Sequence, residues 1–202
     1  MFDLMAILDF PWVYRLLQRL TRTKRHTQKY VDEYVKAKAG DAILDIGCGP
    51  ADIIEFLPAV AYYGFDLNPK YIREAKSRYG DRGAFFCEEL SEGSAPAGIN
   101  FDIVLANKVL HHLNDEEAIK LFKLSVSCLR PGGRLVTCDG CHAPEEGFIS
   151  RTVSNLDRGQ YVRDQDGYLN LARKVFSKVE YEIRNDLSSI PVNGIFMICV
   201  KD

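Results

Sequence analysis

Two glycines mark the stretch of this chain with the clearest chemical meaning. Gly47 and Gly49 separate a short apolar run, residues 42–46, from a short helical pattern that ends at Leu57. A strand, a glycine turn and a helix in this order let an α/β protein present backbone N–H groups to a nucleotide. Gly47 permits the tight turn, and Gly49 lets a ligand come close to the backbone.

Asp66 is a second residue that indicates a nucleotide site. It follows the next apolar run, residues 61–65, and ends that predicted strand. An acidic residue roughly 20 positions beyond such a glycine turn is placed to bind both hydroxyls of a ribose. The two features together predict a site for a nucleoside-containing ligand.

The elements that must position these residues alternate between strands and helices. Residues 1–38 are predicted to be helical, with breaks near Pro11 and at residues 21–23. Later helices are predicted at 69–78, 115–129 and 168–176. The remaining apolar runs predict strands at 84–87, 101–106, 134–138, 179–185 and 195–201.

In its motifs the chain resembles the class I S-adenosylmethionine-dependent methyltransferases, in particular a small-molecule branch of type 11/25. The matching segments, in the order of that family, are 45–49, 64–68, 101–106 and 129–135. One departure is Ala51, where the family often has a third glycine. Because alanine is also small, we expect only a small adjustment of the loop.

This resemblance implies a fold and a cofactor. The fold is an α/β, Rossmann-like, doubly wound sheet of seven strands, mostly parallel with an antiparallel last strand, and with helices on both faces. The cofactor is S-adenosyl-L-methionine. The residues implied to bind it are Asp45, Gly47, Cys48, Gly49, Asp66, Leu67, Glu88, Glu89 and Asn107. Either Glu88 or Glu89 is expected near the adenine amino group, unless both are simply solvated.

The resemblance also divides the single domain into four parts. Residues 1–38 form an N-terminal lid, 39–140 the cofactor-binding core, 141–167 a substrate-side insertion, and 168–202 a C-terminal helix and strand pair. The basic N-terminal segment has two other interpretations, a solvated face of a packed helix or attachment to an anionic lipid surface.

Residues just after the fourth strand are candidates for the reacting centre, because ligands of doubly wound sheets lie outside the carboxyl ends of the strands. His111 or His112 could act as a general base if the acceptor must lose a proton. Adjacent residues cannot both face the same way, so one is expected to pack or cap; we favour His111 as the substrate-facing residue. Lys108 could hold an anionic group of the acceptor or be solvated.

A second group of candidates lies in the insertion. Arg158, Tyr161 and Arg163 are close together in the sequence. Arginine forks suit phosphate or carboxylate, which indicates an acceptor such as an anionic sugar, lipid or phenol. The alternative is a turn held by an internal Asp–Arg pair.

The acceptor is expected to be a small molecule and not a nucleic acid. Base methyltransferases of this family usually have Asn/Asp-Pro-Pro-aromatic after strand four, whereas residues 107–110 read Asn-Lys-Val-Leu. Two other classes stay open, a non-catalytic S-adenosylmethionine-binding partner protein and a nicotinamide-dependent oxidoreductase. Asp45 before Gly47, the Pro-Gly-Gly turn at 131–133 and an antiparallel last strand count against the oxidoreductase.

Composition agrees with one soluble domain. The 202 residues are 47% hydrophobic and 27% charged, and the net charge is −2, which does not indicate a dedicated nucleic-acid binder. The N-terminal apolar stretch, residues 2–17, contains two aspartates and lacks the basic start of a signal peptide. We expect a cytoplasmic monomer or homodimer without stable membrane insertion.

The six cysteines are expected to be free and mostly buried thiols. Residues 138–142 match the Cys-x-x-Cys-His pattern of covalent haem attachment, but Cys138 ends a predicted core strand and no export signal is evident. No second cysteine or histidine pair lies nearby at the spacing of a zinc site. The sequence therefore predicts no metal centre.

Overall fold

The structure, a computed structural model, describes residues 24–96, 98–142, 160–187 and 193–202. The predicted helix breaks at Pro11 and at 21–23 lie outside these residues. Within the described ranges the strands are β1 (Ala42–Ile46), β2 (Ala61–Phe65), β3 (Gly83–Phe86), β4 (Phe101–Asn107), β5 (Leu129–His142), β6 (Arg163–Asp164), β7 (Lys178–Arg184) and β8 (Gly194–Val200). The α-helices are α1 (Lys24–Tyr30), α2 (Pro69–Tyr79), α3 (Asp115–Cys128) and α4 (Gln165–Ala172).

The sheet has the strand order β3-β2-β1-β4-β5-β8-β7, and the two-residue β6 pairs with the end of β5 outside this path. Strands β1 to β5 pair in parallel. Strand β8 is antiparallel to both of its neighbours, β5 and β7. The predicted doubly wound fold of seven strands with an antiparallel last strand is confirmed.

Helices cover both faces of the sheet because neighbouring residues on a strand point to opposite sides. Leu44 on β1 belongs to a buried cluster with α3 and α4, and its neighbour Ile43 belongs to a second cluster with α1 and α2. Val104 and Ile103 repeat this alternation on β4, and all four side chains are fully buried. The sheet is therefore an apolar layer on both sides.

Several element boundaries differ from the predicted ones. The segment after the glycine turn is a short 3-10 helix, Asp52–Phe56, which ends before Pro58. Strand β5 begins at Leu129 and runs to His142, because Gly132 and Gly133 pair with Lys201 instead of forming a turn before the strand. Helix α4 begins three residues earlier than predicted, since the Asp164 side chain caps it by accepting a bond from the Gly167 N–H at 2.8 Å.

Other local predictions hold. Asn114 caps α3 in a reciprocal capping box with Glu117, with distances of 3.0 and 2.8 Å. All six cysteines lie in the described ranges and are outside any disulfide there; Cys128, Cys141 and Cys199 are buried, and Cys87 is exposed. In the same ranges, none of the helices combines the length and the apolar character that crossing a membrane requires.

Candidate active site

The loop after β1 is folded tightly against the end of β2. The N–H groups of Gly47 and Cys48 both donate to the Phe65 carbonyl, at 2.8 and 3.0 Å. Gly47 and Gly49 have φ values of +72° and +56°, in the left-handed region that favours glycine. The predicted roles of these glycines, a tight turn and an open approach, agree with this backbone.

Ala51 also lies in the left-handed region, with φ at +57°, directly before the 3-10 helix. A residue with a Cβ atom is less stable in this conformation than glycine by about 1 kcal/mol. The methyl group is buried, with 1% of the residue exposed. The loop therefore holds a buried alanine in the left-handed conformation at the cost of this backbone strain.

Asp66 is directly linked to this loop. Its Oδ2 accepts a hydrogen bond from the Gly49 N–H at 2.9 Å, and its Oδ1 accepts one from the Asn68 N–H at 2.7 Å. Each carboxylate oxygen can accept a further bond, and the residue is half-buried. The structure thus brings together the glycine and the acidic residue that the sequence placed in one site. Next to them, the Leu67 side chain is 70% exposed.

Asp45 and Cys48 occupy more enclosed positions. Asp45 is 3% exposed, and its Oδ2 accepts a hydrogen bond from the Tyr62 hydroxyl at 2.5 Å. Burial, followed by the nearby Asp45 carboxylate, raises the pKa of Tyr62 well above its usual value. Burial likewise raises the pKa of the Cys48 thiol, with added effects of Asp45 and Asp66. Cys48 is therefore protonated near neutral pH and is not a nucleophile.

Glu88 and Glu89 follow the carboxyl end of β3, and both are exposed. Strand β3 pairs with β2, so its end lies beside the segment that carries Asp66. The expected contact of Glu88 or Glu89 with an adenine amino group stays a prediction.

Asn107 and Lys108 lie where β4 leaves the sheet. The Asn107 Oδ1 accepts a hydrogen bond from the hydroxyl of Tyr30 on α1, at 2.5 Å. Lys108 has φ at +58° and donates its N–H to the Cys138 carbonyl at 2.8 Å. Its side chain is exposed, so it remains a candidate for an anionic group. Tyr30 was not predicted at this site, because its position among apolar residues of a helix indicates only a core residue.

The two histidines lie in different environments. His111, favoured from the sequence as the substrate-facing residue, is only 2% exposed, and its substrate-facing role stays a prediction. Its Nδ1 lies 2.8 Å from Oδ1 of Asp139 on β5, and its backbone N–H donates to the same oxygen at 3.3 Å. His112 is the exposed residue, and the two ring centroids are 4.1 Å apart. Both belong to a single 3-10 turn, Leu110–His112, whose phase the sequence does not specify.

Asp139 is the acidic partner that the sequence reasoning missed. Its side chain is fully buried, and its second oxygen, Oδ2, has no hydrogen-bond partner among the described residues. The available signal was an aspartate directly after the strand predicted at 134–138, at the position where ligands of such sheets bind. A buried carboxylate beside a histidine is a frequent feature of reactive sites.

Arg163 is engaged by the protein. Its guanidinium donates to Asp115 Oδ1 from Nε at 3.0 Å and from Nη2 at 2.7 Å. It also donates to the carbonyls of Leu110, Leu113 and Tyr161, at 3.0, 2.7 and 3.0 Å. This arrangement favours the structural alternative, an Asp–Arg pair, but the partner lies 48 residues away in the sequence. Arg158 lies outside the described residues.

Tyr161 is 40% exposed, and its N–H donates to the His111 carbonyl at 3.0 Å. Together with the bonds of Arg163, this contact fixes the histidine turn from the side of the insertion. Whether Tyr161 touches an acceptor stays a prediction.

Comparison with known proteins agrees with this geometry. A family model described as a methyltransferase domain matches residues 43–133, which include the glycine loop, Asp66 and the histidine turn. Residues 43–133 of this chain thus match a methyltransferase domain, and the relatives and structural neighbours of the chain include S-adenosylmethionine-dependent methyltransferases. The resemblance found in the sequence is thereby confirmed.

Curated relatives of this methyltransferase domain act on different acceptors. The chain is 32% identical over 142 residues to a tRNA N(3)-methylcytidine methyltransferase of Schizosaccharomyces pombe, covering 64% of this chain and 57% of that protein. It is 34% identical over 127 residues to 27-O-demethylrifamycin SV methyltransferase of Amycolatopsis mediterranei, covering 59% and 46%. The chain thus spans about half the length of these relatives.

A solved structure shows the same fold. Phosphoethanolamine N-methyltransferase 2 of Haemonchus contortus, in complex with S-adenosyl-L-methionine, matches 97% of this chain and 56% of that chain with a TM-score of 0.69. At 16% identity this likeness concerns the fold alone. Because one of the relatives acts on tRNA, the exclusion of nucleic acid as acceptor stays a prediction.

Proposed function

We propose that this protein binds S-adenosyl-L-methionine and transfers its methyl group to a small-molecule acceptor by in-line displacement. The observation that carries the proposal is the contact between the Gly49 N–H and the Asp66 carboxylate, at 2.9 Å. It places a backbone turn and a fixed acidic acceptor at the carboxyl ends of β1 and β2, where ligands of such sheets bind.

The residues present fit this cofactor. A Cβ atom on Gly49 would meet nothing within 4 Å, so the loop leaves open space beside its backbone. Asp66, oriented by two backbone N–H groups, would accept hydrogen bonds from the ribose hydroxyls. The exposed Leu67 would cover an apolar face of the adenine, and Glu88 or Glu89 would accept from its amino group. The sulfonium of S-adenosylmethionine supplies a methyl group that is already activated.

On the acceptor side, the His111–Asp139 pair is the candidate base. Asp139, accepting from Nδ1, would hold the imidazole with its Nε2 lone pair free to take a proton. Such a base suits an acceptor that must lose a proton, such as a sugar or phenol hydroxyl. The exposed His112 and Lys108 would face the same acceptor, and Lys108 suits an anionic group.

Calorimetric titration with S-adenosylmethionine, S-adenosylhomocysteine and NADH tests the cofactor. We expect micromolar binding of the first two, and loss of more than tenfold in affinity in Asp66→Ala because the ribose contacts are removed. Asp81→Ala, at an exposed turn after α2, is the matched control and should bind as the wild type does. A preference for NADH, or unchanged binding in Asp66→Ala, would contradict the proposal.

A non-catalytic S-adenosylmethionine-binding protein is the second candidate. Its support is that Arg163, a predicted acceptor-side residue, is bound by other groups of the protein. Production of S-adenosylhomocysteine across a panel of hydroxyl, amine and tRNA acceptors separates the two functions. Turnover of any acceptor excludes the non-catalytic candidate, and turnover of tRNA alone would contradict the small-molecule acceptor.

A further inference from the structure

We propose that Tyr30 on helix α1 is a positioning residue of the cofactor site and that it acts through Asn107. This role rests on the proposed binding of S-adenosylmethionine. According to this proposal, helix α1 increases the affinity of the site for its ligand, in addition to contributing to the hydrophobic core.

Tyr30 reaches the site from a buried position. The residue is 3% exposed, and its ring lies 5.9 Å from the ring of Tyr34 and 6.0 Å from that of Phe196. These contacts place α1 on the face of the sheet that also contains Ile103 and Leu105 of β4. The ring therefore has little freedom, and its hydroxyl is held at the carboxyl end of β4.

The hydrogen bond to Asn107 orients a polar group beside the glycine loop. Asn107 is the last residue of β4, and β4 pairs directly with β1, which leads into that loop. The planar amide carries its oxygen and its NH2 group on different sides of Cγ. With the oxygen accepting from Tyr30 at 2.5 Å, the N–H donors are directed away from Tyr30. A ligand at this edge then meets a fixed donor, which suits a carboxylate or another oxygen acceptor of the cofactor.

Tyr34 provides a matched comparison on the same segment. It is also buried, at 6% exposed, and it also packs against Phe196, at 4.6 Å between ring centroids. Its hydroxyl, however, donates to Glu182 on β7 and accepts from Arg184 at 3.2 Å, away from Asn107. Removing either hydroxyl takes away a partly buried hydrogen bond, but of these two hydroxyls the one of Tyr30 is bonded to a predicted cofactor residue.

The test is a double-mutant cycle for S-adenosylmethionine affinity, measured by calorimetry on the full chain. Tyr30→Phe is expected to weaken binding about fivefold, as for one neutral hydrogen bond. Asn107→Ala is expected to weaken it by at least as much. In the double variant the affinity should equal that of Asn107→Ala, because Tyr30 then has nothing left to orient. Tyr34→Phe should bind as the wild type does.

Thermal unfolding of the same proteins controls for stability. Tyr30→Phe and Tyr34→Phe should lower Tm by similar amounts, so a difference in affinity cannot come from stability alone. Wild-type affinity in Tyr30→Phe, or additive losses in the double variant, would overturn the role of Tyr30. A wild-type protein that does not bind S-adenosylmethionine at all would instead overturn the proposed function.

Discussion

The two glycines of the loop after β1 are constrained by different contacts. A Cβ atom on Gly47 would lie 2.8 Å from Val109 Cγ2, closer than such atoms approach in proteins. A Cβ atom on Gly49 would meet nothing within 4 Å. Both residues have positive φ, so both substitutions carry backbone strain, but only Gly47 also lacks space.

We therefore expect Gly47→Ala and Gly49→Ala to differ in stability and in binding. Gly47→Ala should lower the free energy of unfolding by about 3 kcal/mol, from strain plus overpacking, and Gly49→Ala by about 1 kcal/mol, from strain alone. The Gly49 methyl would occupy the space through which the cofactor approaches, so Gly49→Ala should still lose affinity for S-adenosylmethionine. Urea unfolding and calorimetry measure the two effects. Equal unfolding free energies would contradict the assignment of the clash.

At this scale the sequence predicts the loop better than the acceptor side. Gly49 and Asp66 follow from residue type and spacing alone, because the N–H of a glycine turn meets the carboxylate that follows the next strand. The orientation of His111 and the bonds of Arg163 depend on the conformation of the 3-10 turn Leu110–His112, which the sequence does not specify. Tyr30 and Asn107 are 77 residues apart, and no local pattern reports such a contact.

Among the elements, Asp102 joins three strands near their amino ends. Its Oδ2 accepts from the Ala42 N–H at the start of β1, at 2.8 Å, and its Oδ1 accepts from Arg130 in β5 at 2.5 Å. Burial raises the pKa of this carboxyl, but the hydrogen bonds from Ala42 and Arg130 outweigh burial, and the pKa lies below its usual value. Asp102 therefore stabilises the sheet in its charged form.

The stability effect of Asp102→Asn should depend on pH. Near pH 7 we expect a loss of about 1.5 kcal/mol in unfolding free energy. Because the folded pKa is depressed, the stabilisation is complete above about pH 4, the unfolded value, and is lost as pH falls through the folded pKa. The difference between wild type and variant should then shrink below pH 4 in urea unfolding. A difference that stays constant down to pH 2 would contradict this role, and Asp81→Asn should show no difference at neutral pH.

The elements themselves were mostly predictable from the sequence. Apolar runs predict strands β1, β2, β4 and β8 within one residue of their observed limits. The extension of β5 to Leu129 was not predictable, because Pro131, Gly132 and Gly133 indicate a turn unless the pairing with the chain end at Lys201 is known. The two-residue β6 exists only by pairing with β5 and has no sequence signal of its own.

On the scale of the whole molecule, the first described helical segment, residues 24–35, is held against the last strands of the sheet. Tyr34 stacks on Phe196 of β8, and Lys29 pairs with Asp186 after β7 at 2.7 Å. Arg184 on β7 pairs with Glu33, next to Tyr34. Residues from both ends of the described chain thus meet on one face, close to the helix residue that reaches Asn107.

Phe196→Ala should consequently affect stability and ligand binding together. Phe196 is 4% exposed, and removal of a buried phenylalanine ring lowers unfolding free energy by about 3–4 kcal/mol. The cavity would lie under Tyr30 and Tyr34, so amide hydrogen exchange should increase in residues 24–35 before it increases in the sheet.

Tyr181→Ala, on the edge strand β7 with 42% exposure, is the control and should change stability by less than about 1 kcal/mol. If Phe196→Ala left exchange in residues 24–35 at the level of Tyr181→Ala, α1 would not depend on β8 for its position. In that event Phe196 could not support the contact of Tyr30 with Asn107.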